Sequence, residues 1–327
     1  MNASMGRTEW QKGLTLRTAL IGANGQLGTD LRVRLPGDVL ALDLPEFDVT
    51  RAEHVRSALH DYRPDWVINC AALTNVDACE NAPAECFAVN AVGAAVVARA
   101  AAQVGARLAY ISTDYVFGAA GARSRPYQEE DLPGPLNTYG VCKLAGEHLS
   151  LAHCPDALIV RTCGLYGHAG ARGKGGNFVE TMLRLADSGQ KVRVVNDQRL
   201  SPTATADCAA KVVELLRVDA RGIVHAAAQG ACTWFEFARE IFTLSGRAVD
   251  LRPISSADYA APARRPEFSA LGSRRLAALG LAPCRSWREM LADYLAARAP
   301  RPPEPKEIAG VECCRTSGAA PRGTGPE

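Results

Sequence analysis

Tyr139 and Lys143 are the residues whose types and spacing best fit acid–base chemistry. They stand four positions apart in Tyr-Gly-Val-Cys-Lys, so a helix would place the phenol and the ammonium on one face, one turn apart. An adjacent ammonium, with a positively charged nicotinamide nearby, favours a phenolate and should lower the pKa of Tyr139. The phenol would then give its proton to a carbonyl oxygen as a hydride reaches the carbon. The same spacing is common on solvated helices, so a second motif has to support this interpretation.

The second motif is Ser-Thr-Asp-Tyr at 112–115, at the end of an apolar run that is typical of a buried strand. Ligands of open α/β folds bind at the carboxyl edge of the sheet, where this strand would end. The hydroxyl of Thr113 can hydrogen-bond the carbonyl oxygen that Tyr139 protonates. Together the two motifs predict Thr113, Tyr139 and Lys143 as the catalytic residues of a nicotinamide-dependent carbonyl reductase.

A glycine-rich turn near the N-terminus predicts a dinucleotide site. Residues 22–28 (GANGQLG) follow the first predicted strand and precede a helix. Glycines there permit a tight turn, close approach of the backbone to a pyrophosphate and close packing of helix on strand, while the helix N-terminus faces the phosphates. The predicted cofactor contacts in this turn are Gly22, Asn24, Gly25, Gln26, Leu27 and Gly28.

Asp43 favours NADH over NADPH. It closes the second predicted strand, 21 residues after Gly22, where a carboxylate accepts hydrogen bonds from the adenosine ribose. No Lys or Arg lies between Pro36 and Thr50 to bind a 2′-phosphate. An ordinary loop carboxylate is the alternative interpretation of Asp43.

Short apolar runs alternate with longer amphipathic segments through the first half of the chain. The predicted strands are 18–22, 38–43, 66–69, 108–112 and 158–161, and the predicted helices are 25–35, 51–61, 85–104 and 139–152. Strict alternation indicates right-handed βαβ units and a parallel sheet that is covered on both faces. The expected fold class is α/β, a Rossmann-type doubly wound parallel sheet with a smaller C-terminal α/β substrate lobe.

The pattern changes after a glycine-rich loop at 167–177. The later predicted elements are helix 178–187, strand 191–195, a helix with Asp207 and Leu215, strand 222–226, and helices 234–243 and 287–297. Strand 222–226 is expected to rejoin the main sheet. The predicted dinucleotide-binding domain is 16–168 plus about 204–228, and the predicted substrate lobe is about 169–203 plus 229–298. Residues 1–15 and 299–327 are expected to be disordered, the latter because they are rich in Pro, Gly, Arg and Ser.

Composition excludes several classes of function. A formal net charge of +2 over 327 residues gives no strong field, so we expect no binding to nucleic acid or to anionic membranes. No apolar run is expected to reach the ~20 residues that a membrane span needs, and no secretory signal is evident. The 11 cysteines are scattered without paired spacing, which argues against zinc and against a disulfide framework. We expect a cytoplasmic protein.

These motifs resemble the extended short-chain dehydrogenases, and within them the dTDP-4-dehydrorhamnose reductases. The resemblance covers about residues 18–295. Its most specific segments are 22–28 (GANGQLG), 69–77 (NCAALTNVD), 112–117 (STDYVF), 135–147 (PLNTYGVCKLAGE), 176–185 (GNFVETMLRL), 196–203 (NDQRLSPT) and 262–266 (PARRP).

The resemblance implies the reaction and further contacts. The family's catalytic Thr, Tyr and Lys correspond to Thr113, Tyr139 and Lys143, and the family accepts either NADH or NADPH. The further cofactor contacts that it implies are Asp48, Val49, Ala71, Ala72 and Thr74. The family reduces the C4 ketone of dTDP-6-deoxy-L-lyxo-4-hexulose to dTDP-L-rhamnose. Some members bind magnesium between subunits through carboxylates, but we identify no such ligands here and predict no metal site. A monomer or a homodimer is expected.

A nucleotide-sugar substrate needs groups that contact its sugar and its diphosphate. Arg265, in a loop framed by prolines, is suited to bidentate contact with phosphate, although a surface arginine is the alternative. Thr113 and Asp114 would face the sugar. Asn177 and Phe178 would line the nucleotide side, with core packing an equal alternative for Phe178.

One position departs from the family pattern. Where the family typically has Arg-Thr-Ser-Trp-Val-Tyr-Gly, this chain has Arg-Thr-Cys-Gly-Leu-Tyr-Gly at 161–167, so Gly164 replaces a Trp that borders the sugar. The loss of the ring is expected to enlarge or reshape the pocket. A related enzyme such as dTDP-dihydrostreptose synthase, or another deoxysugar ketoreductase of antibiotic biosynthesis, is therefore an alternative.

Two other classes resemble this chain. Nucleotide-sugar 4,6-dehydratases carry a Glu after Thr-Asp, whereas Tyr115 follows Asp114 here, and a phenol cannot readily replace that carboxylate. The regulatory subunit of methionine adenosyltransferase resembles these reductases but binds a partner protein. The complete set of Thr113, Tyr139 and Lys143 favours an enzyme.

Overall fold

A six-stranded parallel sheet forms the centre of the protein, with strand order β2-β1-β3-β4-β5-β10. The structure is a computed structural model that describes residues 15–121, 123–169 and 176–298. The predicted disordered segments, apart from Thr15, lie outside the described residues, as do 170–175 of the glycine-rich loop. The strands β1 to β12 are Arg17–Ile21, Asp38–Leu42, Trp66–Asn69, Arg107–Thr113, Leu158–Thr162, Leu165–Tyr166, Val192–Val195, Arg199–Leu200, Thr203–Ala204, Gly222–His225, Cys232–Thr233 and Leu251–Ile254.

Helices cover both faces of the sheet. The helices α1 to α12 are Gln26–Arg34, Ala52–Tyr62, Val76–Asn81, Pro83–Phe87, Gly93–Val104, Thr138–His153, Phe178–Asp187, Thr205–Arg217, Trp234–Leu244, Ser256–Tyr259, Arg275–Ala278 and Trp287–Ala296. A single-turn 3-10 helix, Asp114–Val116, follows β4. On one face, Val55 of α2 and Val97 of α5 pack on Val67 of β3. On the other face, Leu31 of α1 belongs to the cluster that contains Ile68. Burial on both faces explains why the strands are continuous apolar runs.

The strand order reverses between β1 and β3, and a ligand crevice is expected at that point of the sheet. β1 pairs with β2 on one side and with β3 on the other. In open α/β sheets a ligand binds beyond the carboxyl ends of the strands at such a switch point. The predicted α/β class and doubly wound sheet are confirmed, and strand Gly222–His225 does rejoin the sheet beside β5.

The predicted helix 85–104 is interrupted. It consists of Pro83–Phe87, a π-helical turn at Ala88–Val92, and Gly93–Val104. By length and composition alone this 22-residue stretch could cross a membrane, so the expectation that no run is long enough was wrong. Half of its most apolar window is buried within the protein, as in the core helix of a soluble fold.

The C-terminal part contributes short strand pairs, of which the sequence predicted only strand 191–195, here β7. β12 pairs with β7, β8 pairs with β11, and β6 pairs with β9. Two-residue strands are too short to show a period, and Pro253 interrupts the pattern of β12. The division into a dinucleotide-binding domain and a substrate lobe stays a proposal.

Candidate active site

One cavity of about 580 Å³ opens at the carboxyl ends of β1, β3, β4 and β5. It contains most of the residues that the sequence singled out. The predicted residues that line it are Gly22, Gly25, Gln26, Leu27, Gly28, Asp43, Asp48, Val49, Ala71, Ala72, Thr74, Thr113, Asp114, Tyr139, Lys143, Gly164, Asn177 and Phe178. Asn24 and Arg265 are the two predicted residues that do not line it.

The glycine loop has the backbone geometry that a pyrophosphate needs. Gly22 has φ +77°, and a Cβ there would lie 2.8 Å from the backbone nitrogen of Ala71. A Cβ on Gly28 would collide with the carbonyl oxygen of Gly22, so both glycines are required for packing. Gly25 is different, because its Cβ would meet only the Gly22 carbonyl oxygen, at 3.3 Å. It caps α1 without a side-chain hydrogen bond, which leaves the helix N–H groups available to an anion.

Asp43 holds the glycine loop from the second strand. Its carboxylate accepts hydrogen bonds from the backbone N–H of Asn24 at 2.7 Å and of Leu44 at 2.8 Å. The exposed Arg32, near the end of α1, donates to Asn24 Oδ1 at 3.4 Å. The sequence did not reveal Arg32 as a candidate for the 2′-phosphate, because Arg32 lies on α1 and not between Pro36 and Thr50.

The predicted catalytic hydroxyls are adjacent. Burial raises the pKa of Tyr139 well above its usual value, and a hydrogen bond with the Thr113 side chain opposes part of that rise. Thr113 Oγ1 donates to Asp114 Oδ1 at 3.1 Å, and Ser269 Oγ donates to Asp114 Oδ2 at 2.6 Å. Burial raises the pKa of Asp114 to about 6, although these hydrogen bonds lower it in part. The ring of Tyr115 stands edge-on to Tyr139, with centroids 6.0 Å apart.

Burial outweighs the other influences on the pKa of Tyr139 here, and the predicted lowering by Lys143 together with the positive nicotinamide stays a prediction. Lys143 Nζ donates to the carbonyl oxygen of Ile111 at 2.7 Å and lies 4.0 Å from the centre of the Tyr110 ring. Burial lowers the pKa of Lys143 to about 7, and the charge of Glu147 opposes that shift. The phenol is neutral near neutral pH even at its ordinary pKa, whereas burial leaves the Lys143 ammonium only partly charged there.

A buried ion pair lies beneath this site. Arg161 of β5 donates from Nε to Glu147 Oε1 at 2.9 Å and from an Nη to Oε2 at 2.6 Å. Ser112 Oγ donates to the same carboxylate at 2.5 Å. The network joins α6, which carries Tyr139 and Lys143, to the two strands at the cavity. Glu147 stands one turn after Lys143, a spacing that could have revealed it.

Arg265 does not line the cavity, and its predicted contact with a diphosphate stays a prediction. Its guanidinium forms a bidentate pair with Asp77, with N–O distances of 3.1 and 2.8 Å, and also donates to the carbonyl oxygen of Ala263. Because Asp77 already neutralises it, Arg265 is not poised for a diphosphate in this structure. Burial raises the pKa of the Tyr115 phenol, and the nearby charge of Arg265 opposes part of that rise.

Asn177 and Phe178 lie at the far end of the cavity, at the start of α7. The Asn177 side chain caps α7 through Glu180 N at 3.0 Å and donates to the carbonyl oxygen of Gly167 at 2.7 Å. Phe178 packs against Trp234 with ring centroids 4.6 Å apart, and both rings line the cavity. Sequence analysis missed Trp234, because its position at the start of a helix gave no functional signal.

Gly164 does not leave the open space that the sequence suggested. Its φ is +51°, and a Cβ there would lie 2.8 Å from Leu200 Cδ1 and 3.4 Å from Pro202 Cα. The space beside Gly164 is therefore filled from β8. A side chain at 164 would be strained by the left-handed backbone as well as by this contact.

The described residues form no candidate metal site and no disulfide bond. Within 15–121, 123–169 and 176–298, no group of three or more His, Cys, Asp or Glu side chains could hold a metal ion. The nine described cysteines are free thiols.

Comparison with known proteins identifies the family. A sequence model described as RmlD substrate binding domain matches residues 16–299. The chain is 43% identical over 294 residues to dTDP-4-dehydrorhamnose reductase of Mycobacterium tuberculosis (strain ATCC 25618 / H37Rv), a match that covers 88% of this chain and 95% of that protein. The chain belongs to the dTDP-4-dehydrorhamnose reductase family.

A solved structure and a further relative support the assignment to the dTDP-4-dehydrorhamnose reductase family. The dTDP-4-dehydrorhamnose reductase of Bacillus anthracis str. Ames, solved in complex with NADP, superposes with TM-score 0.82 at 37% identity, covering 87% of this chain and 100% of that one. The dTDP-4-keto-6-deoxy-D-glucose reductase of Streptomyces niveus is 37% identical over 283 residues, or 85% of this chain and 96% of that protein. The chain is a Rossmann-type oxidoreductase that uses a nicotinamide dinucleotide, as the sequence predicted.

Proposed function

We propose that this chain reduces the C4 ketone of a dTDP-linked 6-deoxy-L-hexulose with NADPH or NADH, most simply dTDP-4-dehydrorhamnose to dTDP-L-rhamnose. The observation that carries the proposal is one cavity lined by Thr113, Tyr139 and Lys143 together with the glycine loop. A dinucleotide site and a proton donor thus share one enclosed space. The names and identities of the relatives support the substrate class.

The residues of the chain supply the proton and the orientation. The reduced nicotinamide, when bound, supplies the hydride. Tyr139 Oη holds a proton at neutral pH, as a phenol with an ordinary pKa near ~10 does, and so can act as a general acid toward the ketone oxygen. Thr113 lies beside that phenol and can hydrogen-bond the same oxygen. The one proton of the Thr113 hydroxyl goes to Asp114 at 3.1 Å here, so it would have to turn from Asp114 to the ketone oxygen when substrate binds.

The predicted site residues fall into two groups in this proposal. The glycine loop, Asp43, Asp48, Val49, Ala71, Ala72 and Thr74 would contact the dinucleotide. Thr113, Asp114, Asn177 and Phe178 would contact the nucleotide sugar, and Trp234 joins them because it lines the same cavity. Arg265 is paired with Asp77, and its predicted contact with the diphosphate would require that pair to open.

The identity of the sugar has a second candidate. The relatives include a dTDP-4-keto-6-deoxy-D-glucose reductase, and Gly164 departs from the family pattern beside the cavity. A ketoreductase of another deoxysugar, such as dTDP-dihydrostreptose synthase, is therefore the alternative. We propose a cytoplasmic enzyme, as expected for the biosynthesis of a dTDP-sugar, and keep monomer or homodimer as the expected states.

A spectrophotometric assay tests the proposal. The purified chain is mixed with NADPH or NADH and a panel of dTDP-4-ketosugars, the loss of reduced nicotinamide is followed by absorbance, and products are assigned by NMR. We expect oxidation with at least one 6-deoxy-4-ketosugar. No oxidation with any member of the panel, together with a stable complex with a protein partner, would favour a regulatory subunit instead.

A further inference from the structure

Leu200 fills the space that Gly164 leaves at the cavity wall. The Cδ1 of Leu200 lies 2.8 Å from where a Cβ of residue 164 would be. Both residues line the same cavity as Thr113 and Tyr139. Leu200 is 3% exposed, so its side chain is enclosed by the protein on every side except the cavity.

The surroundings of Leu200 hold it in place. Its strand β8 pairs with β11, and the neighbouring Arg199 donates its backbone N–H to Glu267 and accepts from Ser269, each at 2.8 Å. Behind it are Phe117 and Cys163 of the same apolar cluster. Backbone bonds on one side and close packing on the other leave the isobutyl group little freedom to move away from a ligand.

The chemistry of the neighbouring wall differs from that of Leu200. Thr113, Asp114 and Tyr139 present polar atoms to the cavity, and Leu200 presents only methyl and methylene groups. A 6-deoxysugar has the same division, with hydroxyl and ketone oxygens around the ring and an apolar methyl group at C6. An apolar side chain fixed in the wall of the cavity that also holds the polar catalytic groups is therefore suited to the apolar part of such a sugar.

We propose that Leu200 is a specificity-determining residue, whose side chain forms the apolar wall of the sugar pocket beside Gly164. The proposal rests on the proposed function for the ligand class, a dTDP-linked deoxysugar. It assigns to β8, from the C-terminal part of the chain, a contact with the sugar that the motif around Gly164 does not provide.

Equilibrium binding tests this role without depending on turnover. The affinities of dTDP and of dTDP-L-rhamnose are measured by calorimetry for the wild type, Leu200→Ala and Leu200→Met. Leu200→Ala should weaken binding of dTDP-L-rhamnose by on the order of 10-fold, the scale of one apolar pocket contact. The affinity of dTDP should stay within about twofold, and Leu200→Met should restore sugar binding because it nearly conserves apolar volume.

Leu271→Ala is the matched control. Leu271 belongs to the same apolar cluster and is also 3% exposed, but it does not line the cavity. It should lose stability as Leu200→Ala does, while the ratio of the two affinities stays that of the wild type. If Leu200→Ala does not fold, the smaller change Leu200→Val is used, with Leu271→Val as its control.

The outcomes separate the two proposals. An unchanged affinity ratio in folded Leu200→Ala, or an equal change in Leu271→Ala, would overturn the role of Leu200 alone. A wild type that binds dTDP-L-rhamnose but reduces no ketosugar would overturn the reductase function and leave the Leu200 test intact. A wild type that binds neither nucleotide would overturn both.

Discussion

Arg161 and Glu147 form a bidentate ion pair whose side chains are 1% and 2% exposed, directly beneath the helix face that carries Lys143. Such a pair is weak evidence of net stabilisation, because both charges lose their hydration. Removal of one partner destabilises the protein strongly, because the other charge is left buried without compensation. The pair therefore joins α6 to β5 by making their separation costly.

Glu147→Gln should lower the free energy of unfolding by about 3–5 kcal/mol, because it leaves the Arg161 charge uncompensated. Urea denaturation measures this value. Glu130→Gln is the matched control, since Glu130 pairs with Arg274 on the surface, where both side chains are more than half exposed. We expect the control to change stability by less than about 1 kcal/mol. Similar small effects in the two variants would show that the buried pair does not hold the site together.

Tyr139→Phe should lower kcat by roughly 10²–10⁴-fold, the usual contribution of a general acid. The change removes only the donated proton, so NADPH binding, followed by nicotinamide fluorescence, should persist. Tyr259→Phe is the control, because Tyr259 is 52% exposed and outside the cavity. An unchanged kcat in Tyr139→Phe, under conditions where chemistry limits the rate, would remove this residue from its role.

Lys143→Met should stabilise the ligand-free protein most strongly at low pH. The folded-state pKa of Lys143 is about 7, whereas an unfolded lysine titrates near ~10.4. Between these values the unfolded wild type binds more protons than the folded one, so wild-type stability at this site rises with pH. The advantage of the variant should be full below pH ~7 and should shrink as pH rises toward ~10.

Denaturation of both proteins across that pH range checks the Lys143 prediction. Lys191→Met, at an exposed lysine, is the control and should keep a constant difference from the wild type. Parallel stability curves for Lys143→Met and wild type would contradict a desolvated ammonium at position 143.

Gly25→Val should fold and lose dinucleotide binding. Its Cβ would meet only the Gly22 carbonyl oxygen, at 3.3 Å, but the side chain would project into the cavity where the backbone must approach a pyrophosphate. Gly28→Ala should instead lower the thermal midpoint, because its Cβ collides with backbone atoms of Gly22 and Ala23. Circular dichroism and NADH titration distinguish the two effects. Wild-type affinity for NADH in folded Gly25→Val would refute the assignment of the loop.

Arg32→Ala should weaken NADPH binding by on the order of 10-fold and leave NADH binding nearly unchanged, because a guanidinium beside Asn24 can pair with the 2′-phosphate. Arg34→Ala on the same helix is the control, since Arg34 pairs with Asp30. Dissociation constants at two salt concentrations measure the effect. An equal loss of affinity for NADPH and NADH in Arg32→Ala would show that Arg32 does not bind the 2′-phosphate.

The sequence by itself determined the features that depend on local spacing. The alternation of apolar runs and amphipathic segments predicted the parallel sheet, because each pattern specifies one kind of element and short connections allow few arrangements. The i and i+4 spacing of Tyr139 and Lys143, and the glycines between β1 and α1, predicted residues that the cavity does bring together.

Tertiary structure decided everything that depends on neighbours distant in the sequence. Arg265 has its charge neutralised by Asp77, 188 positions away, so its type alone could not reveal its role. Burial raises the pKa of Tyr139, which sequence alone could not show because desolvation is a property of the whole surrounding core. The absence of a side chain at Gly164 indicated an open pocket, but a void in a packed protein is filled by whatever residue the fold brings near, and here that residue is Leu200.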